Sequence, residues 1–484
     1  MNIRSAFNMV GTLAILLGLF MLVPMTISIY FREVGFQSFL ISAAIAIGLG
    51  VLIKKGFSTS KEPTVKESFI IVTLGWITAA AVGALPFLLS GTCPTYTDAF
   101  FEAMSGFTTT GATVLGDIEA LSKGLLFWRS LLHWLGGMGI IVLFIAVLPG
   151  VGVGGGRLFR AEVPGPVPEK IVPRIKETAK TLWLIYVGFT AMEIILLCLA
   201  GMSLFDSVNH AFATMATGGI STKAASVGAW RSPGIHWIIT LFMFLAGVNF
   251  TLYYRAFTGR SLRGFFRDDE FKFYVFLILA ATLLLLANSL LASGSFQSLR
   301  EAFRHCVFQV VSIITTTGFA TVDFHAWPAF SKAILMTLVF VGGCAGSTAC
   351  AIKVGRVLIL IKHVYNEVFR FIYPRAVTLP KINGLAISRN VVDTVTAFFF
   401  LYMAIFVSGS LIMSGFGLDF VSSASAVAAT LGNAGPALMV VGPPVAYQSI
   451  PALGKWVLSA CMLLGRLELF TVLVLFIPDF WRKR

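Results

Sequence analysis

The stretch Ser312–Phe324, SIITTTGFATVDF, decides the fold, because its Thr315-Thr316-Thr317-Gly318 core serves no purpose in a lipid-spanning helix yet lies between two long apolar runs. A second TTTG stands at Thr108-Thr109-Thr110-Gly111. Aligned on the glycine, FEAMSGFTTTGAT (Phe101 to Thr113) and FQVVSIITTTGFAT (Phe308 to Thr321) place Phe101 and Phe308, and then Ser105 and Ser312, at equal distances ahead of it. A third copy, FATMATGGIST (Phe212 to Thr222), matches through Gly219-Ile220-Ser221-Thr222. In the fourth, AATLGNAGPAL (Ala428 to Leu438), Gly435 is kept and its preceding threonines are replaced by Asn433 and Ala434.

The surroundings of these words are membranous. Of 484 residues, 57% are hydrophobic and 12% charged, a composition that one soluble core cannot absorb. Apolar runs of about 20 residues, long enough to cross roughly 30 Å of hydrocarbon, fall near 6–30, 37–53, 68–90, 125–148, 181–202, 235–257, 272–293, 332–361, 391–414 and 452–478. The expectation is an all-α polytopic membrane protein with about ten transmembrane helices, the first too long for a signal peptide and retained. Most of the 36 Lys and Arg lie in alternate loops (54–66, 157–180, 255–272, 353–389) and near the termini, which puts both termini in the cytoplasm. The net charge of +14 is therefore read as topology and lipid contact, not nucleic-acid binding. Six scattered cysteines form no C-x-x-C pair and no cluster with histidine, so neither a disulfide framework nor a zinc site is expected.

Segments 91–124, 203–234, 294–331 and 415–451 all fall on the outer side, and each contains an apolar stretch too short to cross. A re-entrant half-helix fits that length. Four units of span, half-helix, loop and span follow, at 61–155, 156–260, 261–375 and 376–484, behind two extra N-terminal helices in 1–60. Repeats of this kind imply a pseudo-fourfold ring within one chain.

Non-helical backbone at membrane depth survives only when buried in protein or lining a water-filled cavity. Four such loops around an axis supply a ring of carbonyls able to replace the hydration shell of a monovalent cation, with glycine aiming successive carbonyls inward. Half-helix carbonyl ends add partial negative charge. The expected ligands are Thr109, Thr110, Gly111; Thr217, Gly218, Gly219; Thr316, Thr317, Gly318; and Asn433, Ala434, Gly435. One TTTG alone would be read as helix packing; four aligned copies outweigh that.

With these words in place, the chain resembles the pore-forming subunit of Trk-type potassium uptake systems, in the Trk/Ktr/HKT superfamily. The carrying stretches are FFEAMSGFTTTGAT, FWRSLLHWLGGMGIIVL, NHAFATMATGGIST, VVSIITTTGFAT, GGCAGSTACAIKVGR, and LGNAGPAL with LLGRLELFTVLVLF. They run from about residue 68 to the C-terminus. In that superfamily glycine at all four filter positions accompanies potassium preference, so the resemblance implies potassium as the permeant ion and no organic cofactor. It also implies a bacterial inner-membrane location, a homodimer, and a separate cytosolic nucleotide-binding regulatory subunit docking on the basic loops 157–180 and 353–389.

Two features lie below the filter level. GGCAGSTACAIK, Gly342 to Lys353, interrupts the eighth span with small residues. Small residues within a span usually mean close helix packing, but Gly342, Gly343 and Gly346 also permit a break. The resemblance implies an intramembrane gating loop here, with Ser347, Thr348 and Lys353 part of it. Relatives commonly carry more glycine where this chain has Ala349, Cys350 and Ala351. Arg466 sits within the last apolar run, where a lone arginine costs about 2.5 kcal/mol or more unless it faces water or a partner. A salt bridge to Glu193 or Asp393 is one reading; Glu468, on another helix face, is no partner. The resemblance implies the other, a positive charge in the permeation path that helps close the pore. His133 reads as a hydrogen-bonded packing residue, and Asp98 and Asp206 as caps at half-helix starts. The rival to a gated channel is an obligatory Na+ or H+ coupled K+ symporter; an intramembrane enzyme lacks convergent catalytic groups.

Overall fold

Backbone in hydrocarbon must satisfy its own hydrogen bonds, and this chain does so with helices almost throughout. The computed structural model describes residues 3–59, 63–139, 175–259, 261, 263–292, 298–376, 378–435 and 447–482. Among the described residues six stretches are helical, long and apolar enough to cross a membrane: Ile3–Tyr30, Phe36–Gly56, Val65–Leu89, Ala179–Leu199, Asp269–Leu290 and Arg389–Gly415. The first two are close-packed through glycine. A methyl on Gly11 would come within 2.8 Å of the Gly50 carbonyl oxygen, and one on Gly50 within 2.6 Å of that of Gly11, the small-residue contact of membrane helices.

Two expected spans are not straight. Pro233–Ala246 meets Phe250–Phe257 at 92°, and Ala452–Arg466 meets Phe470–Phe476 at 109°. At the second bend Glu468 and Leu469 have φ of 54° and 59°, a left-handed conformation through which a right-handed helix cannot continue. The run 332–361 is also divided, into Ala329–Val339 and Val354–Ile372, with the glycine-rich segment between them outside helix. The run 125–148 is helical over Lys123–Gly137 and then turns at Gly139, φ 73°; its remainder, like most of the basic loop 157–180, lies outside the described residues.

Four shorter helices, Tyr96–Phe107, Leu204–Met215, Leu299–Ile314 and Phe420–Leu431, are the half-helices. Each starts on a polar cap: Thr95, Ser203, Ser298 and Asp419 accept the backbone N–H of Asp98, Asp206, Glu301 and Ser422. Thr95 and Ser203 also donate to the carboxylates of Asp98 and Asp206, each at 2.7 Å, a reciprocal arrangement that satisfies otherwise orphaned donors. The all-helical expectation passed over one small feature, a hairpin of Lys381–Ile382 with Leu385–Ala386. Asn383 and Gly384 at its tip have φ of 52° and 77°, the Asn-Gly type I′ signal.

Candidate functional site

The C-terminal ends of the half-helices build the site. All four close with the same pair of backbone bonds. The N–H groups of Thr109, Thr217, Thr316 and Asn433 reach the carbonyls of Gly106, Thr214, Ile313 and Thr430, three residues back. Those of Thr110, Gly218, Thr317 and Ala434 reach Ser105, Ala213, Ser312 and Ala429, five back. This is the Schellman closure, which puts one residue in the left-handed region, usually glycine.

Here that residue is threonine three times and asparagine once: Thr109, Thr217 and Thr316 have φ of 55°, and Asn433 of 50°. A left-handed residue costs about 1–2 kcal/mol, and only glycine, asparagine and aspartate visit the region routinely; a β-branched side chain there is an outlier. Two residues on, Gly111, Gly219, Gly318 and Gly435 are left-handed again, at 81°, 67°, 86° and 78°. The sequence repeat is thus a repeat of conformation, including the copy without threonine.

Three of the four edges between neighbouring turns are in direct contact. A methyl on Gly111 would strike the Gly218 carbonyl oxygen, one on Gly219 the Thr317 oxygen, and one on Gly435 the Thr110 oxygen. The first turn therefore abuts the second, the second the third, and the fourth the first. The third and fourth units meet lower down, where a methyl on Gly432 would lie 3.0 Å from the Val339 carbonyl. Hydroxyls stiffen the backs of the turns: Thr108 and Thr110 share a hydrogen bond of 2.8 Å, Thr315 and Thr317 one of 2.7 Å. Asn433 Nδ2 donates to Thr110 Oγ1 at 2.9 Å and to the Met462 carbonyl at 3.0 Å. The Gly435 carbonyl accepts the Tyr447 hydroxyl at 3.1 Å.

Beneath the turns, on the side of the half-helix C-termini, lies a second layer with no such repetition. The segment Gly342–Lys353 is pinned to the bend of the second unit. Cys344 N–H reaches the Gly247 carbonyl at 2.8 Å, Thr348 Oγ1 the Ala246 carbonyl at 3.2 Å, and Phe250 N–H the Gly346 carbonyl at 3.0 Å. Gly342 N–H bonds Ile352 across the segment at 3.0 Å, Val354 N–H reaches the Gly343 carbonyl at 3.1 Å, and Ser347 Oγ closes a turn on Cys344 at 2.6 Å. Gly346 and Ala351 are left-handed, at 72° and 56°. Lys353 turns its ammonium back onto the Ala349 carbonyl. The segment touches the turns above through Cys350 N–H, which donates to Thr316 Oγ1 at 2.9 Å.

Arg466 holds a position next to it. Its Nη1 donates to Thr109 Oγ1 at 3.3 Å, to the Thr348 carbonyl at 3.2 Å and to Cys350 Sγ at 3.1 Å. Nη2 donates to the Gly136 and Gly137 carbonyls. The guanidinium lies 5.5 Å from the Trp76 ring centre. Among the described residues it meets no carboxylate, so the salt bridge to Glu193 or Asp393 is not formed. Its acceptors among the described residues are all neutral. Glu468 pairs instead with Arg356, whose guanidinium stacks 4.1 Å from the Phe398 ring.

Several residues beyond the sequence expectation belong to this layer. Glu270 Oε1 accepts the N–H of Ala345 at 2.7 Å and of Gly355 at 2.9 Å, tying both ends of the segment to the helix that starts at Asp269; in the sequence it is one acid of an acidic run before a span. Asn249 Oδ1 lies 2.9 Å from where a methyl on Gly346 would stand. His133 differs from its expectation. Its buried ring nitrogens have no hydrogen-bond partner among the described residues, because the ring is pressed against the α-carbon of Gly218, where only glycine leaves room.

The chain matches the family model described as "Cation transport protein", TrkH, over residues 35–483. It is 42% identical to the Trk system potassium uptake protein TrkH of Escherichia coli strain K12, across the whole of both chains. It is 34% identical to the Trk system potassium uptake protein TrkG of the same strain, covering 100% of this chain and 99% of that one. The crystal structure of the potassium transporter TrkH from Vibrio parahaemolyticus superposes with a TM-score of 0.90 at 38% identity, covering both chains completely. On fold, on full-length coverage and on identity, this chain belongs to the TrkH family of cation transport proteins.

Proposed function

We propose that this chain is the membrane-embedded, conducting subunit of a potassium uptake system. Family membership makes it a transporter and removes the intramembrane-enzyme alternative; potassium comes from the relatives' described activity and from glycine at all four turn positions. The observation that carries the reading is four left-handed turns of one backbone conformation, in contact along three of their four edges. Left-handed threonine is expensive, and strain of this kind is retained where function demands the geometry. A carbonyl ring at Thr109–Gly111, Thr217–Gly219, Thr316–Gly318 and Asn433–Gly435 coordinates a dehydrated K+.

In the same reading Gly342–Lys353 is the gate and Arg466 its electrostatic latch. The loop lies outside helix and carries three glycines, its hydrogen bonds to the second unit's bend and to Glu270 being those that opening would exchange. A fixed positive charge beneath the ring raises the barrier to a cation. The units divide at 61–155, 156–260, 261–375 and 376–484. The protein works in the bacterial inner membrane with both termini in the cytoplasm, as a homodimer regulated by a cytosolic nucleotide-binding subunit.

Purified chain in liposomes, under separately imposed gradients of K+, Na+ and H+, tests this. Potassium entry driven by its own electrochemical gradient is the expected result. Entry that appears only with a sodium or proton gradient would replace the gated channel with an obligatory symporter.

A further inference from the structure

The first unit contains a buried ion pair of unusual placement. Arg129 Nε meets Glu102 Oε1 at 2.8 Å, and the two side chains are 2% and 1% exposed. Burying two charges costs several kcal/mol per ion, and an apolar pair of similar volume is often as stable. Stability alone is therefore a poor reason for the pair, and its other contacts supply a better one. Glu102 Oε2 accepts the Val114 N–H at 3.1 Å and the Thr113 hydroxyl at 2.9 Å. Arg129 Nη2 donates to the same hydroxyl at 3.2 Å. Thr113 and Val114 are the residues that lead out of the first turn just after Gly111.

The network also reaches the fourth turn. The Thr113 carbonyl accepts the Tyr447 N–H at 2.8 Å, and the Tyr447 hydroxyl donates to the Gly435 carbonyl at 3.1 Å. Position Glu102 is occupied by His210, Gln309 and Ala426 in the other units, each nine residues before its glycine. His210 Nε2 shares a 3.0 Å hydrogen bond with Ser221 Oγ, the counterpart of Thr113. Gln309 faces Ala320 at that place in the sequence, and its amide has no partner among the described residues. Ala426 has nothing to offer. The anchoring is thus charged in the first unit, neutral in the second and missing from this position in the other two.

We propose that Glu102, oriented by Arg129, is a positioning residue for ion selectivity, holding the outward ends of the first and fourth turns at the spacing that fits potassium. The proposal rests on the filter reading above. Potassium discrimination is set by where the carbonyls stand and how far they yield, and a carboxylate that accepts a backbone N–H directly behind the ring controls both. Charge-assisted bonds are the strong ones, so the tether resists displacement more than a neutral bond would.

The test uses the full chain expressed in bacterial cells that lack their own potassium uptake, with inhibition of K+ uptake by Na+ as readout. Glu102→Gln is expected to lower K+ over Na+ discrimination roughly tenfold, the equivalent of one lost charge-assisted hydrogen bond, while membrane level is checked by blotting. Should that variant fail to accumulate, Thr113→Val leaves the ion pair and the Val114 N–H bond intact and removes the hydroxyl part of the hold on the turn; a smaller loss of discrimination is expected there too. The exchange of Glu102→Arg with Arg129→Glu restores opposite charges but cannot accept the Val114 N–H. Stability is expected to return with it, and selectivity not; restored selectivity would show that the pair matters only as a pair and would overturn the proposal. Gly111→Ser serves as reference. Unchanged discrimination in the Glu102 and Thr113 variants, with loss in Gly111→Ser, defeats the tether and leaves the filter standing; no loss in any of them defeats both.

Discussion

The ring of turns and the layer beneath it are made from the same four units, yet one is nearly symmetric and the other is not. Above, four backbones share two left-handed positions to within a few degrees at the first of them. Below, the first unit's helix ends before a left-handed Gly139, the second bends by 92° after Ala246, the third inserts Gly342–Lys353, and the fourth places Arg466 just before a 109° bend. In the proposed reading an ion at the centre is coordinated by all four turns, and selection for coordination holds the copies alike. A gate needs one movable part and one fixed charge, and one copy of each is enough. On that reading symmetry marks the part that binds, and its loss marks the part that switches.

The largest effect is expected where the ring itself is broken. In Gly219→Ala the methyl meets the Thr317 carbonyl and φ is 67°. Left-handed alanine alone costs about 1–2 kcal/mol, and the neighbouring backbone must also move. Potassium uptake should fall well over tenfold at unchanged membrane level, and normal uptake would mean that the turns do not line the path.

Breaking the lower layer should act in the opposite direction. A unit charge roughly 8 Å from a passing cation at an effective dielectric of 20 opposes it by on the order of 2 kcal/mol. Arg466→Ala is accordingly expected to raise cation flux by about tenfold or more in liposomes. Lost folding with unchanged flux per correctly inserted protein would reduce Arg466 to a structural tie among Thr109, Gly136, Gly137 and Thr348.

The smallest effect sharpens the ring from within. Among the described residues Thr217 Oγ1 bonds the adjacent Ala216 carbonyl alone, at 2.6 Å, whereas Thr109 receives Arg466 and Thr316 receives Cys350. Thr217→Gly relieves left-handed strain at the cost of unfolded-state entropy, and the two are each about 1 kcal/mol. Its thermal stability in detergent should stay near the parent's, while Thr109→Gly should lose an Arg466 contact and pass more cations. Equal behaviour of the two would mean that the threonines serve the ring alike and that the layer below does not hold on to them.

Much of this was legible before any coordinates. The four turn glycines and the half-helices follow from local words whose physics is local. The caps are Thr95 and Ser203 where Asp98 and Asp206 were expected, those acids standing three residues further into the chain, inside the helix. The break in the eighth span was implied by the resemblance, since small residues alone read as helix packing. Less legible were the bends in 235–257 and 452–478, because apolar periodicity continues straight through them and a bend is imposed by what packs alongside. Gly465 is an example, since its α-carbon lies directly against the Leu431 carbonyl. Arg466 was visible as an anomaly, but its partners are carbonyls, which no residue type announces. Glu102 and Arg129 stood in plain sight in FFEAMSGF and FWRSLLHW without sequence spacing to join them.

By itself the sequence determined that the chain spans a bilayer, that it repeats one unit four times, and that each repeat carries a glycine where the backbone must turn left-handed. Those properties depend on hydropathy, length and local conformational energy, which are carried by consecutive residues. Only the tertiary structure decided that the turns abut one another, that Arg466 is held by neutral acceptors with no counter-ion among the described residues, and that Glu102 grips the far side of its own turn. These are contacts between segments tens to hundreds of residues apart, and their energies depend on distance in space, which the order of residues along the chain does not contain.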